Sequence, residues 1–389
     1  MTRLIEILIS LAIVTALFLI IGVLLPNSRH LSESVETNRK VTIVYDTLNS
    51  FRRFDDWHPL VLRDSAVQLE RTGPDSGVGA RLEYTSLDEN LAEGSWEIVA
   101  NEPNRSISMD ITNAERGENK RTKYTLRPTG RSGRNIEITQ TYDVDYGWNL
   151  LGRYAGMYVS SNMGQDMKLG LSRLSNMLAT VPNVDYTELS RDNPDRVPTI
   201  GRRPAETLLV VTAAVERNNQ VVQRQMRSNL EWIERVIEAN DLEATGPVRI
   251  ITNEFGSENY SFDVAVPVRA LGEGDSADEA EDADAEDADA DENGESSAPV
   301  ASGPEPTEAI EIEDGLDSPV ESVFMPASEI AVVPFEGHMA NLPNVRDALR
   351  AWALTQGYET TGRPYEIWEN GIDGGFSEDG EYEVVWTIR

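Results

Sequence analysis

The chain has no cysteine, which rules out disulfides, thiolate catalysis and cysteine zinc sites together. Histidine is almost as scarce. His30, His58 and His338 are the full set, and they lie far apart with no HExxH-like spacing, which argues against a histidine metal centre. There is no P-loop, no GxGxxG turn and no GxSxG elbow, so no standard catalytic motif marks the chain as an enzyme. Basic residues are also short: 34 Lys and Arg face 67 Asp and Glu, a net charge of -33. Such a surface repels phosphates, which excludes a general role in binding nucleic acid.

Thirteen of the negative charges fall between Glu273 and Glu295, with no Lys or Arg among them. The surrounding stretch, 272–319, is rich in Asp, Glu, Ala, Ser and Pro and nearly lacks large apolar residues. It is expected to be a disordered acidic insert. Asp289, Asp291, Asn293 and Gly294 imitate the start of a calcium loop. The twelfth position, however, is Val300 where a bidentate Glu is needed, so a solvated linker is the expectation and no metal is assigned.

What the chain does have begins at its N-terminus. Ile7 to Leu25 is a run of nineteen uncharged residues, and at ~1.5 Å per residue it makes ~28 Å of helix, close to the thickness of a bilayer core. A cleaved signal peptide is the competing reading. The run ends in Leu24, Leu25, Pro26 and Asn27 rather than in a small-x-small cleavage site, which favours an uncleaved anchor over residues 1–29. Arg3 lies on one side of it and Arg29, Arg39 and Lys40 on the other, a bias that hardly orients the helix. The expectation is a single-pass anchor in a bacterial inner membrane, with the soluble part periplasmic.

At 389 residues the chain exceeds one ordinary domain, so two folded modules are expected. In the first, residues 30–180, Val41 to Tyr45 lead into a helix-like stretch from Asp46 to Phe54 that Pro59 stops. Six strand-like runs follow, punctuated by Gly73-Pro74, Pro103-Asn104 and Gly130 to Gly133. Their alternation predicts an antiparallel meander with one buried face. Leu150 to Leu178 carries an apolar stripe suited to one long helix, which Gly164 and Gly170 bend or weaken.

The run Val44 to Pro59, the segments Gly77-Val78-Gly79-Ala80-Arg81 and Glu102-Pro103-Asn104-Arg105, and Gly164 to Leu174 on the last helix resemble the polyketide cyclase/START-like (SRPBCC) superfamily. That resemblance implies an α+β helix-grip fold, with an apolar cavity between the sheet and the final helix that carries lipid-like molecules. Candidate lining residues are Trp57, Tyr84, Trp96, Met109, Tyr124, Tyr142, Tyr154 and Met157, because aromatic and methionine side chains suit apolar ligands. Each is also a natural core-filling residue.

Residues 181–204 read as a linker, and 205–389 as a second module interrupted by the acidic insert. Leu208 to Val215, a helical face through Val222, Met226, Leu230, Ile233 and Ile237, and strands at Val248 and Tyr260 form one βαββ pattern. A second copy runs from Ile330 to Ile388. The phrases Phe335-Glu336-Gly337-His338, Leu349-Arg350-Ala351-Trp352, Gly362 to Trp368 and Phe262 to Val268 resemble the GyrI-like effector-binding domain. The resemblance implies a central cleft for cationic or apolar small molecules. Trp352, Tyr365, Trp368 and Trp386 are its candidate walls, and Glu383 or Asp263 its charge. A solvated place on a polar strand face is the plain alternative for Glu383.

Together these features predict a membrane-anchored, non-catalytic binding protein for hydrophobic or cationic small molecules, without a cofactor. The alternatives are a hydrolase or cyclase using a cleft carboxylate, and a scaffold with vestigial pockets.

Overall fold

The computed structural model describes residues 2–88, 91–191, 193–271, 305–313 and 318–389. The calcium-loop imitation at 289–300 and most of the acidic insert lie outside them. The chain divides into two compact units, Met1–Asp185 with Thr355–Gly357, and Tyr186–Leu354 with Tyr358–Arg389.

The first unit opens with helix α1 (Thr2–Leu24) and strand β1 (Ser28–Thr37), followed by short helices α2 (Val41–Leu48), α3 (Phe54–Trp57) and α4 (Leu60–Arg63). Strands β2 (Gln68–Thr72), β3 (Arg81–Thr85), β4 (Glu93–Glu102), β5 (Ser106–Asn113), β6 (Glu118–Thr129) and β7 (Asn135–Asp145) come next, then helices α5 (Leu150–Ala155) and α6 (Val159–Leu178). The seven strands form one antiparallel sheet in the order β1-β7-β6-β5-β4-β3-β2. This is a mixed α+β unit whose sheet is gripped by α6, as the alternation and the final apolar stripe suggest.

Three local features differ from the sequence pattern. Strand β1 is additional to the six expected strands, its alternation hard to see because Leu31 and Val35 are its only large apolar residues; the first element after α1 starts at Ser28 rather than 30. Helix α2 starts at Val41 and stops at Leu48, so Val41 to Tyr45 belong inside it. The expected single helix from Leu150 to Leu178 is two helices. A β-carbon at Gly152 or Gly156 would stand 2.9 or 2.7 Å from the Tyr146 ring, so these glycines let that ring wedge against α5 where the chain turns.

Helix α6 buries Gly164, Met167, Leu171, Leu174 and Leu178, a 3,4,3,4 spacing that keeps one stripe on the sheet. Gly170 permits a close approach. A β-carbon there would stand 3.1 Å from Pro59 Cδ and 3.8 Å from the Trp57 ring, so glycine lets α3 and α4 close on the helix.

The second unit contains β8 (Thr199–Arg203), β9 (Glu206–Glu216), α7 (Asn219–Ala239), β10 (Leu242–Ala244), β11 (Arg249–Phe255) and β12 (Asn259–Ala270). It continues with β13 (Glu321–Met325), β14 (Ser328–Glu336), α8 (Leu342–Thr355), β15 (Thr360–Trp368), α9 (Gly371–Gly375) and β16 (Glu381–Ile388). Its sheet runs β13-β9-β12-β11-β15-β16-β14-β8, with β10 added beside β12. The strands β9, β11 and β12 with α7, and β14, β15 and β16 with α8, take mirrored places about the β11–β15 pair, so the two βαββ segments share one sheet. One core runs through both, from Leu209, Met226 and Phe262 to Leu349, Trp368 and Val384.

Two boundaries move. The end of the expected linker is strand β8, which pairs with β14. Residues 305–313, within the expected insert, lie on this unit: Ile310 and Ile312 pack on the core, Ser322 Oγ donates to the Ile310 carbonyl at 2.6 Å, and Glu305 pairs with Arg202 at 3.2 Å. Two isoleucines in a polar stretch are the signal for this docking.

Leu174 is fully enclosed between α6 and the sheet. Leu174→Ala is expected to cost about 2–5 kcal/mol of first-unit stability in denaturant unfolding followed by circular dichroism, against about 0.5 kcal/mol or less for the exposed Lys168→Ala.

Candidate functional site

The first unit has an open-mouthed cavity between its sheet and α6, with about 70 Å³ accessible to the centre of a water molecule. The sheet contributes residues two apart, which is the spacing of one strand face. These are Thr122 and Tyr124 from β6, Gln140 and Tyr142 from β7, Trp96 from β4 and Tyr84 from β3. Helix α6 contributes Met163, Asp166, Met167 and Gly170 at three- and four-residue intervals. The α3–α4 corner contributes Trp57, His58, Pro59, Leu60 and Arg63. The walls are predominantly aromatic. Trp57 meets Tyr124 edge-on at 6.2 Å, and Trp96 lies 5.2 Å from Tyr84 and 4.9 Å from Phe54 between ring centres.

Polar groups occupy two places. Deep in the cavity, Gln140 Nε2 donates to Thr122 Oγ1 at 3.2 Å, and Thr122 Oγ1 donates to the Thr141 carbonyl at 3.0 Å. Around the mouth stand Asn113, Glu115 and the Arg63–Asp166 ion pair. Burial holds the Asp166 carboxyl above the usual carboxylate range, and the Arg63 charge opposes that shift. Burial also raises the phenols of Tyr124 and Tyr142, which stay neutral at physiological pH.

His58 stacks on Phe54 with ring centres 4.1 Å apart and meets Trp96 at 5.0 Å. Desolvation in this aromatic nest, reinforced by the nearby Arg63 charge, pushes its imidazole down to about 3. Its Nδ1 accepts the Leu60 backbone N–H at 3.2 Å, so the proton of the neutral ring sits on Nε2 and makes that nitrogen a donor. A group with so low a pKa is a poor general base near neutrality and a good neutral hydrogen-bond donor. The indole N–H of Trp57 is buried without a protein partner. The site therefore offers aromatic contact area and a few neutral donors, the chemistry of binding an apolar molecule that carries an acceptor.

Of the eight residues expected to line this cavity, Trp57, Tyr84, Trp96, Tyr124 and Tyr142 do so. Three do not. Met109 lies on the correct sheet face, in register with Thr122, but is enclosed core. Tyr154 is on the separate α5, stacked on Phe18 of α1 at 4.5 Å, and Met157 is exposed just beyond it; the break between α5 and α6 removes both from the grip helix. His58, Thr122, Gln140, Met163 and Asp166 join the lining without having been expected there, although their spacing from Trp57, Tyr124, Tyr142 and Met167 carries the signal.

In the second unit the residues expected to form the cleft divide between the two faces of the sheet. Trp368 is buried in the core on the helix side of the sheet, and Trp352 and Trp386 pack against that core, Trp386 Nε1 donating to the Arg346 carbonyl at 3.1 Å. Tyr365 and Glu383 point to the other side. Tyr365 is three residues from Trp368 and Glu383 three from Trp386, and odd separations on a strand reverse the face. Asp263 is engaged by Thr212 Oγ1 at 2.7 Å and Asn253 Nδ2 at 2.6 Å.

The aromatic ring of Tyr365 already faces two arginines, Arg203 at 5.9 Å and Arg249 at 5.5 Å, which leaves it ill suited to receive a ligand cation. Arg249 forms a two-pronged pair with Glu206, at 2.5 and 2.8 Å. Desolvation, strengthened by Glu369 and opposed by Arg249, raises the Glu383 carboxyl. Among the described residues, no group of three or more His, Asp or Glu is placed to hold a metal ion.

Residues 28–178 match a protein family described as polyketide cyclase / dehydrase and lipid transport. No curated protein matches the chain. Among solved structures, it is similar to the EcmrR C-terminal domain at 14% identity, with TM-score 0.33 over 50% of this chain and 97% of that one. It is also similar to norcoclaurine synthase from Thalictrum flavum, at 13% identity and TM-score 0.32 over 39% of this chain and 95% of that one. A Thermobifida fusca protein is similar at 20% identity and TM-score 0.31, over 39% and 93%.

Because the folded-state pKa of His58 lies below its unfolded value, its contribution to stability is present above about pH 6.5 and is lost as pH falls toward about 3. Thermal melts across that window are expected to show a smaller acid loss for His58→Gln than for the parent chain. Identical slopes contradict the depressed imidazole.

Proposed function

We propose that the protein binds a hydrophobic small molecule in the first unit's cavity and is held at a membrane by α1. The single observation that carries the reading is the open, aromatic-walled cavity between α6 and the sheet. The family matched by residues 28–178 includes lipid transport in its description, which agrees with an apolar ligand. The ligand is apolar over most of its surface and carries an acceptor for the free N–H of Trp57 or the Nε2–H of His58.

Helix α1 has an apolar span, Arg3–Leu24, with mean hydropathy 3.0, long enough to cross a membrane; a signal sequence passes the same test. Anchoring is favoured by its attachment to the folded unit. Arg153 donates to the carbonyls of Gly22, Val23 and Leu25 at 3.3, 2.9 and 3.3 Å, satisfying acceptors that a helix C-terminus otherwise leaves open. The body is proposed to lie on the periplasmic side of the membrane, a compartment that a chain without cysteine suits. A second ligand in the second unit is not part of this reading, since Trp352, Trp368 and Trp386 lie on the helix side of the sheet, away from Tyr365 and Glu383.

Native mass spectrometry of the detergent-extracted full chain is expected to show a co-purified small molecule. Met163→Trp, placed at the half-buried lip of the cavity, is expected to abolish that adduct without unfolding the chain. Trp57→Phe keeps most of the ring and removes the N–H; it is expected to weaken binding about fivefold to tenfold, the value of roughly one hydrogen bond. An empty parent protein, or an adduct indifferent to Met163→Trp, refutes cavity binding.

A further inference from the structure

We propose that the cavity mouth of the first unit is seated in the bilayer surface. A collar of Leu62, Leu87, Trp148, Leu151, Met157 and Tyr158 enters the headgroup layer beside α1, and the ligand moves between membrane and cavity without crossing water. The proposal rests on the anchoring and cavity binding argued above and adds the surface and the route.

Strand register puts anchor and mouth at one end of the sheet. Strand β1 leaves α1 at Ser28, which pairs with Asp145 at the end of β7; Asp145 also pairs with Glu118 at the start of β6. At the same edge, Asn113 ends β5 opposite Gly94, and Thr85 ends β3 opposite Glu93. The loops beyond these positions supply Leu91, Asn113 and Glu115 to the mouth. Ser86 Oγ donates to Asp64 Oδ2 at 2.6 Å, which holds the end of α4 and its exposed Leu62 at this edge as well.

The depth of the collar follows from how α5 meets α1. The Tyr154 hydroxyl donates to the Phe18 carbonyl at 2.7 Å, its ring stacks on Phe18, and Arg153 holds the carbonyls at the helix end. Phe18 lies six residues before Leu24, ~9 Å along the helix axis. If α1 spans the bilayer, α5 is level with its last two turns, the interfacial layer where Trp and Tyr concentrate. Only Leu25, Pro26 and Asn27 separate α1 from β1, and the Tyr146 N–H donates to the Asn27 carbonyl at 2.7 Å, so the unit has little room to swing away.

The collar side chains suit this placement. Leu87 is 92% exposed, Trp148 82% and Tyr158 63%, the most exposed large apolar groups of this unit outside α1, and the register above puts their loops at one end of the sheet. Charge permits it too. Residues 1–185 hold 20 of the 34 basic and 23 of the 67 acidic residues, a net charge of -3 within a chain of -33, so this unit is not driven off an anionic lipid surface as the remainder is.

The absence of cysteine makes the test direct. Single spin labels at Leu87→Cys, Leu151→Cys, Ile13→Cys on the anchor and Arg131→Cys at the opposite end of the sheet are compared in the full chain, reconstituted in phosphatidylcholine vesicles. Power saturation with oxygen and with a water-soluble nickel chelate reads their depth. Labels at 87 and 151 are expected to be several-fold less accessible to nickel than the label at 131, and shallower than the label at 13. Aqueous readings at 87 and 151 with a lipid-buried label at 13 overturn the seated mouth while leaving the anchor intact; an aqueous label at 13 overturns both. Mutual broadening of like labels at 87 or 151 assigns the collar to a second copy of the chain and also overturns the proposal. Ligand co-purification from detergent does not depend on the collar, so cavity binding stands or falls separately.

Discussion

A seven-stranded sheet is wider than the helix that covers it, and the first unit is organised by that mismatch. Strands about 4.8 Å apart make a face roughly 30 Å across, whereas a helix with its side chains is about 10–12 Å wide. One apolar face cannot be sealed by α6 alone. The sheet is interrupted by bulges between Ile98 and Ala100 in β4 and between Glu118 and Arg121 in β6, irregularities that bend strands. The remaining gap is closed by α2, α3 and α4 and by the largest side chains available. Trp57, Trp96, Tyr84 and Tyr124 meet edge-on or tilted, and an aromatic nest of that kind leaves space that flexible aliphatic chains would fill. Gly170 then matters twice, since it admits Trp57 and Pro59 and itself lines the hollow.

Much of this is legible in the sequence because strand and helix periods are strong signals. The alternation through β6 and β7 marks Tyr124 and Tyr142 as inward-facing, and the sheet places both on the cavity. What escapes depends on partners distant in sequence. Nothing near Tyr154 announces that it leaves the final helix to stack on Phe18, 136 residues earlier. Strand β1 carries too few apolar residues to declare itself and exists because β7 offers it an edge. In the second unit the difficulty is one of counting: Tyr365 with Trp368, and Glu383 with Trp386, look like one wall in the sequence although an odd spacing separates them onto opposite faces.

The second unit shows why an acidic chain does not advertise its sites. Its largely buried arginines are matched internally: Arg203 and Arg249 with Glu206, and Arg346 with Glu366, a fully enclosed carboxylate on β15. Desolvation raises Glu366 while Arg346 opposes the shift, so the pair is held together by the expense of separating either charge from the other inside the core. Composition offers 67 carboxylates, and the phrase Gly362 to Trp368 that contains Glu366 says nothing of its partner Arg346. Glu366 is flanked by Tyr365 and Ile367, and only the tertiary fold reveals it as the polar centre of an apolar core.

The proposed seating of the cavity at a membrane would bear on the kinetics of ligand capture. A molecule with about 300 Å² of apolar surface loses about 7 kcal/mol when that surface is exposed to water, which slows escape from a membrane by a factor on the order of 10⁵. A cavity that floats free must wait for that event. A mouth held at the headgroup layer as proposed, through the three-residue link and the Arg153 contacts at the helix end, would replace water with its own apolar walls during transfer. The ligand then exchanges one apolar environment for another of similar character, and affinity can come from the aromatic fit and one or two neutral hydrogen bonds. That is why a modest cavity with few polar groups is sufficient when it is tied to the phase that dissolves its ligand.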